Sequence, residues 1–240
     1  DVRALDFSSP TAAQTINEWV NARTAGKIPQ IVDSPIPADV IMYLINAIYF
    51  KGTWAQQFDP ALTRSAPFNL RGGGSVAVPT MVHGEKAPAR VHVGAPGDVT
   101  VVDLPYGGGA WAMTIVLPPS ASGIDTLVSG LTQARWDGWM ASLDSADVFV
   151  TMPKFTLRWE LELKSVLSAL GMGIAFRNDC TPDFSRLAPT AQCPYITKVK
   201  HKTFVDVYEE GTEAAAVTSV EIGVTSAPME LRIVVDRPFL

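Results

Sequence analysis

One stretch restricts the folding options of this 240-residue chain more than any other: residues 209–226, EEGTEAAAVTSVEIGVTS. It lies between a strand-like run, 203–208, and a second apolar run, 231–235. A connection of that length without helix or packing signals is uncommon and tends to be functional. Its even positions from 212 to 224 read Thr, Ala, Ala, Thr, Val, Ile, Val, all small or apolar. Its odd positions read Glu213, Ala215, Val217, Ser219, Glu221, Gly223 and Thr225. A two-residue period marks a strand with one buried face, so the segment is written as a strand that has no partner. Gly211 supplies a pivot with wide φ/ψ freedom. Thr212, Ala214, Ala215 and Ala216 are small enough to enter a packed sheet. The competing reading is a surface linker rich in Ala, Ser and Thr, which has no reason to keep this parity.

Along the rest of the chain, spacing predicts a helix over 10–25, capped by Thr11 and ended by Gly26. The run 40–50, VIMYLINAIYF, reads as a central strand covered on both faces, interrupted by Asn46, which must then find partners. Residues 56–75 read as loop and turn, 76–82, 99–104, 111–117 and 148–155 as strands, and 124–143 as partly helical. A helix is predicted over 160–170, ended by Gly171, and 179–194 is irregular. Composition is that of a globular protein, with 47% hydrophobic and 18% charged residues. A net charge of −5 and a pI near 5.2 argue against nucleic acid as partner. The apolar runs are too short and too polar to span a bilayer. Cys180 and Cys193, 13 apart, allow a loop-stapling disulfide or two free thiols. His83, His92 and His201 are scattered and give no metal spacing. No nucleophile elbow, phosphate-binding glycine loop or HExxH occurs, so no enzyme, cofactor or metal is expected. Glu209, Glu210 and Glu213 stand beside a mobile loop rather than in a cleft. Glu213 and Glu221 read as the solvated face of the latent strand.

EEGTEAAA resembles the hinge of the reactive-centre loop of inhibitory serpins, and DRPFL at 236–240 resembles the family's segment downstream of that loop. INEWVNARTAGKI resembles the serpin helix across the front of the main sheet. NAIYFKGTW resembles the strand beside the gap that opens there, and VDLPYGGGAWAMTIVLP the second sheet. MPKF and LKSVLSALGMGIAF are similar to family segments as well. The matches run in family order from about Ile16 to Leu240, so the chain resembles a serpin of prokaryotic type. It lacks the family's N-terminal helices, the strand near them and the last strands after DRPFL. The implied fold is α+β: one incomplete domain over 1–240 with a large, mostly antiparallel main sheet, smaller sheets, surrounding helices and an exposed reactive-centre loop at 209–227. The hinge comprises Glu209, Glu210, Gly211, Thr212, Glu213, Ala214, Ala215 and Ala216. Asn46 falls in the family's shutter region, with His201 as its neighbour.

The resemblance implies a suicide-substrate inhibitor, a monomer acting outside the cell on a serine protease. The scissile residue is the seventeenth from the first Glu of the hinge; 225 − 209 + 1 = 17 selects Thr225, followed by Ser226. A small β-branched residue there disfavours trypsin-like enzymes and favours elastase-, then chymotrypsin-, then subtilisin-like ones. After acyl-enzyme formation, residues 212–224 would insert as a new strand. The alternative is a non-inhibitory carrier or chaperone whose loop never inserts; an unrecognised hydrolase is a third reading.

Overall fold

The computed structural model describes residues 3–38, 40, 42–94, 98–186, 193–212 and 231–240. The chain forms two compact units, 1–49 with 156–205, and 50–155 with 206–240.

In the first unit, α1 (Ala12–Arg23) presents Ala13, Ile16, Trp19 and Val20 to a core that holds Ile28, Ile31, Val32 and Phe204. Thr11 does not cap it as expected; its hydroxyl pairs with that of Ser9 at 3.0 Å. Gly26 ends the helix at φ 82°, with its N–H on the Asn21 carbonyl. Asn17 then ties down the chain that follows. Its amide donates to the Val32 carbonyl and its oxygen accepts from the N–H groups of Ile31 and Val32.

Strand β1 (Tyr43–Ile48) packs Tyr43, Ile45 and Ala47 on this core. It was expected to be covered on both faces, but its other face is open. Leu44 is 44% and Ile48 47% exposed, and Asn46 is exposed too, so it is not the buried asparagine the run implied. β1 runs parallel to the first part of a later strand, from Tyr43 opposite Lys198 to Ile48 opposite Thr203. The same strand pairs with Phe155–Glu162. That pairing corrects the helix expected from residue 160. The alternation of Leu157, Trp159 and Leu161 is a strand, and the helix starts only at Lys164, runs to Leu167 and continues as a π turn over Ser168–Met172. Its Leu163 and Leu167 pack with Ala175, Phe176, Ile196 and Val199. Gly171, at φ 99°, stops it. Cys180 and Cys193 are joined as a disulfide, S–S 2.07 Å.

The second unit holds β2 (Gly52–Thr53), β3 (Arg64–Asn69), β4 (Ser75–Val82), β5 (Ala87–Val93), β6 (Thr100–Tyr106), β7 (Trp111–Leu117) and β8 (Asp144–Pro153). Strands β3 to β8 form a sheet in the order β3-β4-β8-β5-β6-β7. With β9 for Phe155–Glu162, β10 for Lys198–Tyr208, β11 for Gly211–Thr212 and β12 for Arg232–Val234, the strand list is complete for the described residues. β12 lies parallel to β8 as the seventh member of the sheet. β3 lies inside the region read as loop, and β5 was not anticipated at all. α2 (Ile124–Ser129) and α3 (Gln133–Ala141) cover one face of the sheet, setting Leu127 and Trp139 on Val99, Val101 and Val116. At the chain's end Leu240 and Val116 exchange two backbone hydrogen bonds.

Candidate functional site

The site is the turn that leaves β10. Tyr208 and Val207 pair antiparallel with Gly211 and Thr212, so Glu209 and Glu210 form a two-residue turn between β10 and β11. On its other edge β11 pairs antiparallel with β2, Gly211 opposite Thr53 and Thr212 opposite Gly52. Gly211 and Thr212, the two residues after the turn, are therefore a strand between two others. The glycines make this possible. Gly211 has φ 154°, and a Cβ there would overlap the Gly52 carbonyl oxygen and crowd the Thr53 Cα at 2.7 Å. A Cβ on Gly52 would come within 2.9 Å of the Phe50 and Tyr106 rings. The close crossing leaves no room for a Cβ at Gly211 or at Gly52.

Around it stands a polar and aromatic frame. The Trp54 N–H donates to the Glu210 carbonyl at 3.0 Å and the Phe58 N–H to the Glu209 carbonyl at 2.9 Å. The Trp54 indole N–H donates to the Tyr208 carbonyl at 3.0 Å, and its ring stacks on Tyr106, centroids 4.4 Å apart. The Tyr106 and Thr212 hydroxyls are 2.7 Å apart, and Thr212 is 2% exposed. Burial pushes the Tyr106 phenol up, against the opposing effect of the Thr212 hydrogen bond.

Glu209, read from the sequence as standing beside a loop rather than in a cleft, is buried. Its two carboxylate oxygens accept from the Thr63 hydroxyl and the Lys154 ammonium, each at 2.8 Å. Burial alone would raise its pKa, but the hydrogen bonds, that from Lys154 foremost, outweigh it and hold the carboxyl below its ordinary value. A carboxylate removed from water in this way is stable only while both donors stay in place. Lys154 also lies 5.9 Å from the centre of the Tyr208 ring. The arrangement clamps the start of a strand by backbone, hydroxyl and charge at once.

Of the predicted hinge, Glu209, Glu210, Gly211 and Thr212 come together here. Glu213, Ala214, Ala215 and Ala216, and the bond Thr225–Ser226, lie outside the described residues. In the first unit Asn46 and His201 face each other across β1 and β10. The His201 Nε2 and the Thr203 hydroxyl are 3.0 Å apart, and its ring meets Trp159 edge-on at 5.6 Å. Sequence reasoning missed Thr63, Lys154, Tyr106 and the role of Gly52. Lys154 and Gly52 sit in the noted segments MPKF and FKGTW, but a pairing across 55 residues leaves no local signal.

A family model described as "Serpin (serine protease inhibitor)" matches residues 1–240. Serine protease inhibitor 42Dd of Drosophila melanogaster is 35% identical over 233 residues, 97% of this chain and 60% of that protein. Among solved structures, Serpin48 from the insect Tenebrio molitor superposes with a TM-score of 0.82 at 32% identity, over 98% of this chain and 62% of that one. The thyroxine-binding globulin complex with thyroxine gives 0.82 at 28% identity, over 98% and 61%. The chain thus spans about three fifths of the length of the relatives it matches.

Proposed function

This chain belongs to the serpin family, and on that premise we propose that it is a suicide-substrate inhibitor of serine proteases, not an enzyme itself. The observation that carries the reading is β11, two residues of the hinge already intercalated between β10 and β2. The register gives the continuation. Val207 faces Thr212, so paired positions sum to 419, and each later residue n would face 419 − n on β10. Residues 216–221 would then take the places opposite Lys198 to Thr203 that β1 now holds. Thr218 would stand opposite His201, where Asn46 stands now. The even positions 212 to 224 keep the face on which Thr212 is buried, and all of them are small or apolar.

A protease cutting at Thr225–Ser226 releases the upstream half of the loop while remaining bound to Thr225 as an acyl-enzyme. Insertion of about 14 residues at ~3.3 Å each makes a strand on the order of 45 Å long. A covalently attached protease is dragged by that distance, and an oxyanion hole pulled out of shape no longer supports deacylation. The β-branched Thr225 directs the choice towards elastase-, chymotrypsin- or subtilisin-like enzymes acting on a monomeric, secreted inhibitor.

The test is incubation with a panel of those three enzymes, followed by denaturing gels and mass measurement of the released fragment. The expected result is an SDS-stable complex and a fragment beginning at Ser226. Thr212→Arg places an unpaired charge on the buried face and should turn the inhibitor into a cleaved substrate with no complex. A carrier reading is favoured by the likeness to thyroxine-binding globulin. It predicts cleavage without a complex in the unaltered protein, and that outcome would displace the inhibitory one.

A further inference from the structure

The second unit contains a titratable group that the clamp does not use directly. His83 is 4% exposed and lies flat on Phe58, ring centroids 3.8 Å apart and planes 9° apart. Phe58 is the residue whose N–H holds the Glu209 carbonyl. Its ring meets Trp54 edge-on at 6.1 Å, and the Trp54 N–H holds the Glu210 carbonyl. One aromatic stack thus backs both backbone anchors of the turn. The His83 Nε2 is 3.3 Å from the Gln56 carbonyl oxygen, which places the proton of the neutral ring on Nε2. Nδ1 is buried and bonds to none of the described residues. The cavity beside the ring holds about 10 Å³, and its other walls, Trp54, Gln56, Phe58, Leu104 and Pro105 among them, carry no ionisable group.

We propose that His83 makes the anchorage of the 209–210 turn labile to acid: a proton arriving on Nδ1 finds no acceptor, the ring leaves the stack, and Phe58 and Trp54 release the two carbonyls. Among the described residues the carboxylates on the packed segments bond elsewhere than to the ring. Asp59 holds the Ala61 N–H, Glu85 accepts from Gln56, Asp103 from Thr114, and Glu209 from Thr63 and Lys154. Lys86 and Arg90 are cations and offer no acceptor. Desolvation agrees in sign, holding the imidazole down from 6.5 to about 4. Between those values the released form binds a proton and the anchored form does not. The anchored form therefore loses ground as pH falls through 6.5 and levels off below about 4.

The measurement is amide hydrogen exchange of Trp54 and Phe58 by NMR, corrected for intrinsic rates and read at each amide as the ratio of protection at pH 7.5 to that at pH 5. In the unaltered protein that ratio should be about 30. In His83→Phe, which keeps a ring on Phe58 without a titrating nitrogen, the ratio should stay within about 2-fold of unity. His83→Gln serves as a second neutral variant should the first not fold. A ratio near unity in the unaltered protein, or the same drop in both variants, would overturn the proposal. Glu209 is held below its ordinary value of 4.5 and stays ionised across this range, so it does not imitate the effect. The inference stands on the anchorage alone, and failure to trap any protease would leave it intact.

Discussion

At the scale of single residues, the clamp rests on a charge that the fold has taken out of water. Lys154 is 46% exposed while the Glu209 side chain is nearly covered, so the pair is worth less than a fully buried one but more than a surface contact. Lys154→Met strands the carboxylate with one hydroxyl donor and should lower stability at pH 7 by about 1–2 kcal/mol in a urea titration. The sign of the pH dependence follows from the depressed carboxyl. The unfolded chain takes up its proton near 4.5 and the folded one only lower, so the contribution is complete above that value and drains away as pH falls beneath it. Glu209→Gln should remove this part of the acid slope; an unchanged slope would show that the carboxylate is not held as described. The hinge sequence EEGT was recognisable, and the need for a glycine after the two glutamates had a physical reason. Which glutamate is buried was not legible. That depends on Thr63, just before β3, and Lys154, just after β8, which tertiary structure alone brings in.

At the scale of elements, the errors share one cause. β3 lies at the sheet's edge, carries Pro67 and shows little burial, so its alternation is faint and proline argues against a strand. β5 carries Pro88 in the same way and meets β6 only from Arg90 onward. The helix expected from residue 160 overran a strand because the Leu stripe after 163 continues the apolar content of Leu157, Trp159 and Leu161 without a break. Only the change of period, from two to three or four, separates them. Where one face is strongly buried, as in β6, β7 and α1, the reading and the structure agree. The disulfide belongs to this scale too. It closes a 13-residue separation, and such a closure contributes about 3 kcal/mol through the unfolded chain. Reduction, or Cys180→Ser with Cys193→Ser, should lower the melting temperature by several degrees in calorimetry. An identical thermogram would mean the closure adds nothing.

At the scale of the whole molecule, the α+β serpin fold was foreseeable because segment after segment occurs in family order, and no single motif carries it. What stayed hidden was that Gly211 and Thr212 already pair as a strand between β10 and β2. β10 has β1 for a neighbour at Lys198 to Thr203 and β11 at Val207 and Tyr208, and no count of parity could place the change between them. If the even face of 212–224 is meant for the sheet, a cut within residues 218–226 should raise the melting temperature sharply, since a new strand then adds hydrogen bonds and buries apolar side chains. An unaltered melting curve after complete cleavage would count against the insertion.

The buried indole of Trp54 has a use beyond support. It lies against Tyr106 and bonds to the last carbonyl of β10, while Trp111 and Trp159 stand largely in solvent. Trp139 is buried as well, so the part of the emission that reports on the mounting of the turn is the red shift lost on Trp54→Phe, and in a stopped-flow cell that part would time the release of the 209–212 segment with no dye attached.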